Sequence, residues 1–435
     1  MSMAKSVNAE RLMLLVIRRN VSLLRSSCGT SNAVTRRMTR CALLMIACGP
    51  LWACGNRPLG SSVSVSDSAG IAIIESTMPR WAGSAGWIVD PDPFLDLATS
   101  GSGPSHEFYM VRDATRLANG SIAVADGGSN QIRVFSTTGE FSVSIGRGGE
   151  GPGEFRSLSS VDRLGDDSLV AFDPRLQRLT VASVDGSSVR VLAPLAARVR
   201  LASVLALTDS SFVAVTFVER SEASDGRTHR GSLAVLRLSA SSGMPIDTIT
   251  SMPGNETVAY SSGGFLAVIA PLFPKASHIG VVRGGVVVGT ADSLEYRVLS
   301  QDGRLQRVVR VPGYALDVSA AEVEKTRAAR LAEASDMPEM FRDGIERLPR
   351  PATRPAYSSL KVDAEGCVWL AQYKLRSQVD EPTTWEVLSE SGEWLGAVQT
   401  PTRFTVYEVG HDYVLGRWLD ELDVEHVRLL RLHRH

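Results

Sequence analysis

The sequence predicts an all-β protein, a six-bladed β-propeller of four-stranded antiparallel blades with a helical insertion between blades 4 and 5. Two observations lead to this prediction. The chain contains 38 glycines, and its short runs of Val, Ser, Thr and Leu are separated by Gly, Asp and Asn, a mixture typical of strands joined by tight turns. The same turn pattern also recurs at a fixed offset, which indicates stacked structural repeats.

The repeats are clearest in three ungapped copies. Each starts at an aliphatic residue and reaches a turn glycine after the same offset of 22 residues: Leu117 to Gly139, Leu164 to Gly186 and Val281 to Gly303. A fourth copy, Val362 to Gly392, carries an insertion around 374–383. Two further copies are weaker: Leu207–Gly243, with a polar insertion at 219–230, and Val409–Leu432. The first two starts are 47 residues apart, which leaves room for one four-stranded blade per repeat.

The alternation of side chains within each repeat explains why the units stack. Ile122 and Val124, like Ile132 and Val134, have period-two spacing, which places one face of a strand inward and the other outward. A single twisted sheet cannot bury both faces, so several such units pack radially.

Closure of the ring is predicted from the two ends of the chain. The last segment offers only three strands, near Phe404–Val409, Tyr413–Trp418 and His426–Leu432. We expect a strand near Ile71–Glu75 or Gly86–Leu97 to complete that blade, because an open ring would leave unpaired edges.

One stretch departs from the β pattern. Residues 318–348 are rich in Ala, Glu, Lys and Arg, and Pro338 interrupts them, which predicts helices. We interpret this segment as an insertion over one face of the ring, either a lid or partner surface or a solvated excursion, with the excursion favoured.

Particular residues of the first repeat carry a family resemblance. Gly120–Asp126, Gln131–Phe135 and the glycine-rich run Ile145–Phe155 resemble an NHL-type propeller blade. More broadly, residues 70–435 resemble the six-bladed β-propeller lipoproteins of bacterial cell envelopes. The resemblance implies a fold and a location in the envelope, and it implies no reaction.

The N-terminal segment has the order of a signal peptide. Arg36, Arg37 and Arg40 precede an apolar run, 41–53, that is too short for a membrane span of about 20 residues. The run ends in Leu51-Trp52-Ala53-Cys54, which resembles a bacterial lipobox, although Trp52 replaces the small residue usual there. The resemblance implies cleavage before Cys54 and its lipidation, and a simple secretory signal or an uncleaved anchor is the alternative.

The predicted domain organisation follows from this signal. Residues 1–53 are the signal segment, within which Met38 is the expected translation start, 54–69 are the lipidated cysteine and a flexible tether rich in Ser, Gly and Pro, and 70–435 are the propeller. The expected location is the cell envelope. Gly55 after Cys54 is compatible with outer-membrane sorting, with the propeller facing the periplasm.

The net charge and the position of the cysteine argue against two classes of function, nucleic-acid binding and catalysis by a cysteine nucleophile. Removing the eight bases and one acid of residues 1–53 from the totals of 46 and 47 leaves a formal charge of −8, so nucleic acid is not an expected partner. The only cysteine in the propeller is Cys367, on an apolar stretch, and we expect a buried core thiol rather than a nucleophile.

Each motif that resembles a phosphate-binding or cation-binding site is interpreted more simply as a structural element. The Gly146–Phe155 run lacks the Gly-Lys-Ser/Thr ending of a phosphate loop and is expected to be an inter-blade turn. Asp126 and Asp173 follow strands and are expected to cap turns rather than to bind a cation. No Gly-x-Ser-x-Gly elbow occurs, and no two histidines have the i, i+4 spacing of a helical zinc site.

The mouth of the central channel is the predicted ligand surface. Seven residues on or beside the first strands of the blades are its candidates: Arg112, Asp113, Asp162, Arg163, His278, Lys361 and Tyr407. The leading hypothesis is a non-enzymatic, lipid-anchored protein that binds a protein, peptide or glycan of the envelope and needs no cofactor. The alternative is a metal-dependent propeller lyase or hydrolase, NHL-like or lactonase-like, with Ca²⁺ or Zn²⁺ in the channel.

Overall fold

The strands of the described residues are arranged in six sheets. The computed structural model describes residues 62–81, 86–192, 200–219, 225–262 and 265–434. Three strands precede the first repeat: β1 (Val63–Ser68), β2 (Ile71–Ser76) and β3 (Ile88–Asp96). The signal segment and Cys54 lie outside the described residues.

The blades follow in chain order. Blade 1 contains β4 (Val111–Arg116), β5 (Ile122–Asp126), β6 (Gln131–Phe135) and β7 (Phe141–Ile145), and blade 2 contains β8 (Ser160–Leu164), β9 (Ser168–Asp173), β10 (Arg178–Ser183) and β11 (Val189–Leu192). Blade 3 contains β12 (Leu201–Thr208), β13 (Ser211–Glu219), β14 (Asp225–Ser239), β15 (Pro245–Ser262) and β16 (Phe265–Ile269).

The second half of the ring is built in the same way. Blade 4 contains β17 (His278–Val282), β18 (Gly285–Gly289), β19 (Glu295–Ser300) and β20 (Leu305–Arg310), and helices α1 (Ala320–Glu333) and α2 (Glu339–Glu346) follow it. Blade 5 contains β21 (Ser359–Val362), β22 (Val368–Ala371), β23 (Thr383–Leu388) and β24 (Trp394–Thr400), and blade 6 contains β25 (Phe404–Val409), β26 (Tyr413–Leu419) and β27 (Glu425–His433).

The first strands of the blades form a closed ring. They contact one another in the order β4, β8, β12, β17, β21, β25 and back to β4. The protein is therefore a six-bladed β-propeller, as the repeats predict. Four blades have four strands, whereas blade 3 adds β16 and blade 4 adds β1 and β2 at its outer edge.

The apolar core lies between neighbouring blades. Six clusters of buried side chains each join two adjacent blades, and together they pass around the whole ring; representative pairs are Ala123 with Leu169, Phe172 with Phe212, Val235 with Val286, Val287 with Leu370, Trp369 with Val414, and Leu415 with Ile122. Both faces of each sheet are buried in this way, so the ring supplies what a single blade cannot.

The N-terminal segment forms a belt around three blades. Its hairpin β1–β2 joins blade 4, where β2 runs parallel to β20. The backbone N–H groups of Arg80 and Trp81 then donate to the carbonyls of Trp394 and Leu395 in blade 5, at 2.9 and 2.8 Å. Finally β3 pairs antiparallel with β27 and supplies the fourth strand of blade 6.

The belt confirms one expectation and corrects another. Of the two segments predicted to complete blade 6, the one near 86–97 does so, and the strand at 71–75 extends blade 4 instead. The predicted tether also extended to residue 69, whereas Val63–Ser68 form β1. The alternation of Val and Ser in β1 is compatible with an edge strand, and the Ser/Gly/Pro composition of 54–69 concealed it.

The helical insertion lies where the sequence places it, between blades 4 and 5. Ser319 caps α1 in a capping box with Glu322, and Pro338 is the N-cap of α2. Phe341 and Ile345 of α2 pack on Ile269 of β16, within a buried cluster that also includes residues of the extended β15. The polar insertion predicted at 219–230 is partly strand, since β14 begins at Asp225.

The ring has two distinct faces. The first strand of every blade starts at one face, and the antiparallel order returns the loop between the second and third strands to that same face. We call it the upper face, and we call the opposite one the lower face. The helices lie on the upper face, because β20 ends there and β21 starts there.

Candidate functional site

All seven predicted channel residues lie on first strands of the blades. Arg112 and Asp113 are on β4, Asp162 and Arg163 on β8, His278 on β17, Lys361 on β21 and Tyr407 on β25. Five of the six first strands therefore contribute, and β12 contributes none. The role of these residues in ligand binding stays a prediction, and their contacts show what else they do.

Two of the carboxylates connect each blade to the next. Oδ2 of Asp113 accepts a hydrogen bond from the backbone N–H of Val161 in blade 2, at 3.2 Å. Oδ2 of Asp162 accepts one from the backbone N–H of Ala206 in blade 3, at 2.9 Å. These N–H groups belong to the free edges of first strands, so the carboxylates satisfy donors that no blade pairs internally.

A third carboxylate, Glu408, makes the same kind of contact and was not among the predicted residues. Its Oε2 accepts from the hydroxyl of Thr115 at 2.6 Å and from the N–H of Arg116 at 3.0 Å, and its Oε1 accepts from the hydroxyl of Tyr413. An acidic residue between Tyr407 and Val409, on a strand that has only Thr405 besides apolar and aromatic residues, is the sequence signal that indicates it.

Lys361 and Tyr407 continue the connections around the ring. The ammonium group of Lys361 in blade 5 donates to the carbonyl of Tyr407 in blade 6, at 2.8 Å. The hydroxyl of Tyr407 donates in turn to the carbonyl of Val111 in blade 1, at 2.8 Å. Asp113, Asp162, Glu408, Lys361 and Tyr407 thus form a set of inter-blade hydrogen bonds, which we call the channel clasp.

Burial shifts the acid–base properties of the clasp. It raises the pKa of Asp113 to about 7, the nearby Asp162 carboxylate adds to the rise, and the Lys361 ammonium opposes it. Burial also raises the pKa of Asp162, against the hydrogen bond from Ala206. Asp113 therefore titrates near neutral pH.

His278 is separate from the clasp. Its ring centroid is 5.4 Å from that of Tyr357, and its Nε2 is buried without a hydrogen-bond partner. Burial, reinforced by the Arg230 guanidinium, lowers the pKa of His278 to about 4. The imidazole is neutral at physiological pH and carries no charge to a ligand.

The remaining candidates have structural roles, as expected. Oδ1 of Asp126 accepts from the N–H groups of Gly128 and Ser129, and Oδ1 of Asp173 accepts from those of Arg175 and Leu176, all at 2.9–3.2 Å. The glycine-rich run is the turn between β7 and β8. Cys367 is buried just before β22, and burial raises its pKa to about 12.

Potential metal ligands do not cluster in the parts of the chain that the structure describes. Within them, no three His, Cys, Asp or Glu side chains lie close enough together to hold a metal ion. A cleft of about 130 Å³ at the upper end of blade 4 is lined by Arg310, Tyr314 and Leu316, among others. Ligand pockets are usually about 300–1,000 Å³, so this cleft is smaller than a typical ligand pocket.

The upper face carries an exposed apolar patch beside blades 6 and 1, which sequence reasoning missed. We define it as the rim patch: Tyr109, Leu422 and Val424, whose exposed fractions are 62%, 84% and 48%. An antiparallel bridge between Phe108 and Glu425 places Tyr109 opposite Val424. Leu422 and Val424 are in a short turn of mostly acidic residues, and nothing in that sequence distinguishes a solvated loop from a binding one.

The loop that carries the rim patch is held by its own hydrogen bonds. Oδ1 of Asp420 accepts from the N–H groups of both Leu422 and Val424, at 2.8 Å each. Three exposed acidic side chains, Glu107, Glu421 and Asp423, surround the rim patch, and Asp420 is half-buried. Asp423 is paired with Arg403. The patch is therefore an ordered apolar surface within an acidic border.

Comparison with known proteins supports the propeller fold. A family model described as a 6-bladed beta-propeller, DUF5128, matches residues 93–173, from within β3 to the end of β9. No curated protein matches the chain.

None of the helices that the structure describes is long and apolar enough to cross a membrane.

Several solved structures are similar to the chain at low sequence identity. A Bacteroides fragilis protein described as exported is 14% identical, with a TM-score of 0.46 over 83% of this chain and 99% of that one. A DUF4221 family member from Bacteroides vulgatus is 10% identical, with a TM-score of 0.49 over 80% and 99%. Virginiamycin B lyase from Staphylococcus aureus, solved with quinupristin, is 9% identical, with a TM-score of 0.37 over 75% and 80%.

Proposed function

We propose that this protein is a lipid-anchored, extracytoplasmic binding protein whose rim patch holds an apolar segment of a protein or peptide partner. The observation that carries the proposal is the exposure of Leu422 and its neighbours on an ordered loop. Exposed apolar patches on otherwise soluble surfaces mark interaction sites, and a loop already fixed by Asp420 loses little conformational entropy when a partner binds.

The contacts of the channel favour the rim over the channel as the binding surface. Asp113, Asp162, Glu408 and Lys361 are committed to the channel clasp, so a ligand there would have to replace hydrogen bonds that hold the blades together. Leu422 and Val424 offer no side-chain hydrogen bonds, which favours a protein or peptide over a glycan. The acidic border favours a partner whose apolar residue is flanked by Lys or Arg.

Substitution of Leu422 tests the patch. We expect Leu422→Asp to abolish capture of the specific partner by the purified protein, because it places a charge at the centre of the apolar contact. The measurement is quantitative capture from envelope extracts, with thermal unfolding to show that the fold is intact. Met244, 52% exposed on the lower face of blade 3, gives the matched control Met244→Asp. Equal partner loss in both variants, or in neither, contradicts the proposal.

The lipid anchor is proposed from the lipobox-like sequence at Cys54. Acylation of its sulfur and amino group would attach the chain stably, since several acyl chains bind a bilayer far better than one. We expect a fatty-acid analogue to label the wild-type protein and not Cys54→Ala in growing cells. Equal labelling of the two proteins excludes lipidation at this residue.

A metal-dependent lyase or hydrolase is the second candidate. The observation that favours it is Asp113, a channel carboxyl group whose pKa of about 7 suits a general acid or base. A metal-dependent enzyme requires bound metal, so elemental analysis of purified residues 55–435 distinguishes the two candidate functions. Stoichiometric Ca²⁺ or Zn²⁺ supports the enzyme, and a metal-free, fully folded protein excludes it.

A further inference from the structure

Arg434 lies on the lower face, directly after β27, and its guanidinium group is enclosed by oxygen atoms. Its Nε donates to the carbonyl of His411 at 2.8 Å, and its Nη2 donates to the carbonyl of Gly410 at 2.9 Å. Its Nη1 donates to Glu365 at 3.1 Å, and its Nη2 donates also to Asp363 at 2.9 Å. Only 12% of the side chain is exposed, so these acceptors take the place of water.

The acceptors around Arg434 come from two neighbouring blades. Asp363 and Glu365 are in the lower turn between β21 and β22 of blade 5, and Gly410 and His411 are in the lower turn between β25 and β26 of blade 6. One planar group therefore bridges the two blades. A guanidinium presents a fixed fork of N–H donors that matches several oxygens at once, whereas a lysine ammonium is a point charge.

An indole ring completes the enclosure. The guanidinium carbon of Arg434 lies 4.2 Å from the centre of the Trp87 ring, which is a cation–π distance. Trp87 precedes β3 in the N-terminal belt and packs against the buried cluster between blades 5 and 6. Blade 5, blade 6 and the belt thus meet at the Arg434 side chain.

The surroundings of Asp363 indicate that a cation belongs at this position. The Asp363 side chain is completely buried. Its Oδ1 accepts from the backbone N–H groups of Glu365 and Cys367 at 3.0 and 2.8 Å, and its Oδ2 accepts from the indole N–H of Trp369 at 2.9 Å. These three donors are neutral, and Arg434 supplies the positive charge that a buried carboxylate requires.

We propose that the groups around Arg434 form a guanidinium-binding site that a residue of the same chain occupies. We call it the arginine site: Asp363, Glu365, Gly410, His411 and Trp87. Two carboxylates, two carbonyl oxygens and an aromatic face select a planar cation over a point charge. The bound guanidinium holds blade 5, blade 6 and the belt together on the lower face. The proposal is independent of the rim patch and of the lipid anchor.

Thermal unfolding of three arginine variants tests whether the site holds the ring together. Arg434→Ala is expected to lower the melting temperature by about 5 °C, because it leaves the Asp363 carboxylate buried without its counter-ion. The matched control is Arg431→Ala, which removes an exposed guanidinium of β27 that lies 5.0 Å from the ring of Phe94 and should change the melting temperature by about 1 °C at most. Arg434→Lys keeps the charge without the fork and should melt between the wild type and Arg434→Ala.

Added ethylguanidinium chloride tests the ligand class directly. In Arg434→Ala the arginine site is open to this small planar cation, so millimolar concentrations should raise the melting temperature in a saturable way. Ethylammonium chloride at the same concentrations controls for ionic strength and for charge alone, and it should have little effect. The wild type and Arg431→Ala, in which Arg434 fills the site, should not be stabilised by either salt.

Three results overturn the proposal. The first is an Arg434→Ala protein that is as stable as Arg431→Ala, and the second is an Arg434→Lys protein that is as stable as the wild type. The third is an equal effect of the two salts on Arg434→Ala. If Arg434→Ala does not fold in buffer alone, ethylguanidinium should restore a cooperative transition that ethylammonium does not restore, and failure of both salts, or success of both, also contradicts the site.

Discussion

A chain that lacks residues 70–97 is expected to lose its cooperative unfolding transition. This deletion removes β3, which supplies the fourth strand of blade 6, together with β2 at the edge of blade 4. The buried side chains of Ile74, Val89 and Leu97 go with them. The ring would then have an open edge and exposed inter-blade clusters, and no other part of the belt could replace β3.

Thermal unfolding followed by circular dichroism checks this expectation. The matched control removes only residues 62–68, because β1 is almost entirely exposed and its loss should change the transition little. The point variant Leu97→Ala gives an intermediate case in a chain that still folds, with an expected cost of about 2–5 kcal/mol for a fully buried leucine. An unchanged melting temperature in the 70–97 deletion would show that the ring does not depend on this closure.

The repeat architecture could be predicted from sequence because its signals are local. The glycine at the end of each repeat has a positive φ in Gly139, Gly186 and Gly303, a conformation that other residues avoid. Alternating side chains also define the strands on either side of the turn. Capping by Asp126 and Asp173 was predictable for the same reason, since each carboxylate bonds to N–H groups two and three residues further along the chain.

The parts that the sequence did not predict depend on contacts between distant residues. Glu408 belongs to the channel clasp because blade 6 lies beside blade 1, almost 300 residues earlier in the chain. The rim patch depends on the bridge between Phe108 and Glu425 in the same way. The position of β2 could not be chosen from its apolar pattern, because the outer edges of blades 4 and 6 both offer an unpaired strand.

Asp113→Asn is expected to stabilise the protein at pH 8 and to leave its stability at pH 4 unchanged. The pKa of Asp113 is about 7 in the folded protein against an ordinary value of 3.8, so the folded state binds the proton more tightly than the unfolded state. The contribution of Asp113 to the stability of the wild type is therefore greatest below about pH 4 and falls as the pH rises from about 4 to 7. Asparagine carries no charge, so this loss does not occur, and its side-chain oxygen can still accept from Val161.

The expected gain at pH 8 is at most about 4 kcal/mol, since one pKa unit corresponds to about 1.4 kcal/mol. Chemical denaturation of both proteins from pH 4 to 8 measures it. Asp185 is a suitable control, because hydrogen bonds from Ser183 and Ser187 lower its pKa to about 2. Its stabilising contribution is lost only as the pH falls from about 4 to 2, so Asp185→Asn should be less stable than the wild type by the same amount from pH 4 to 8. If Asp113→Asn and wild type differ by the same amount at every pH, the carboxyl group is not destabilised by its burial in the clasp, and its suitability as a neutral-pH acid or base in the channel is lost as well.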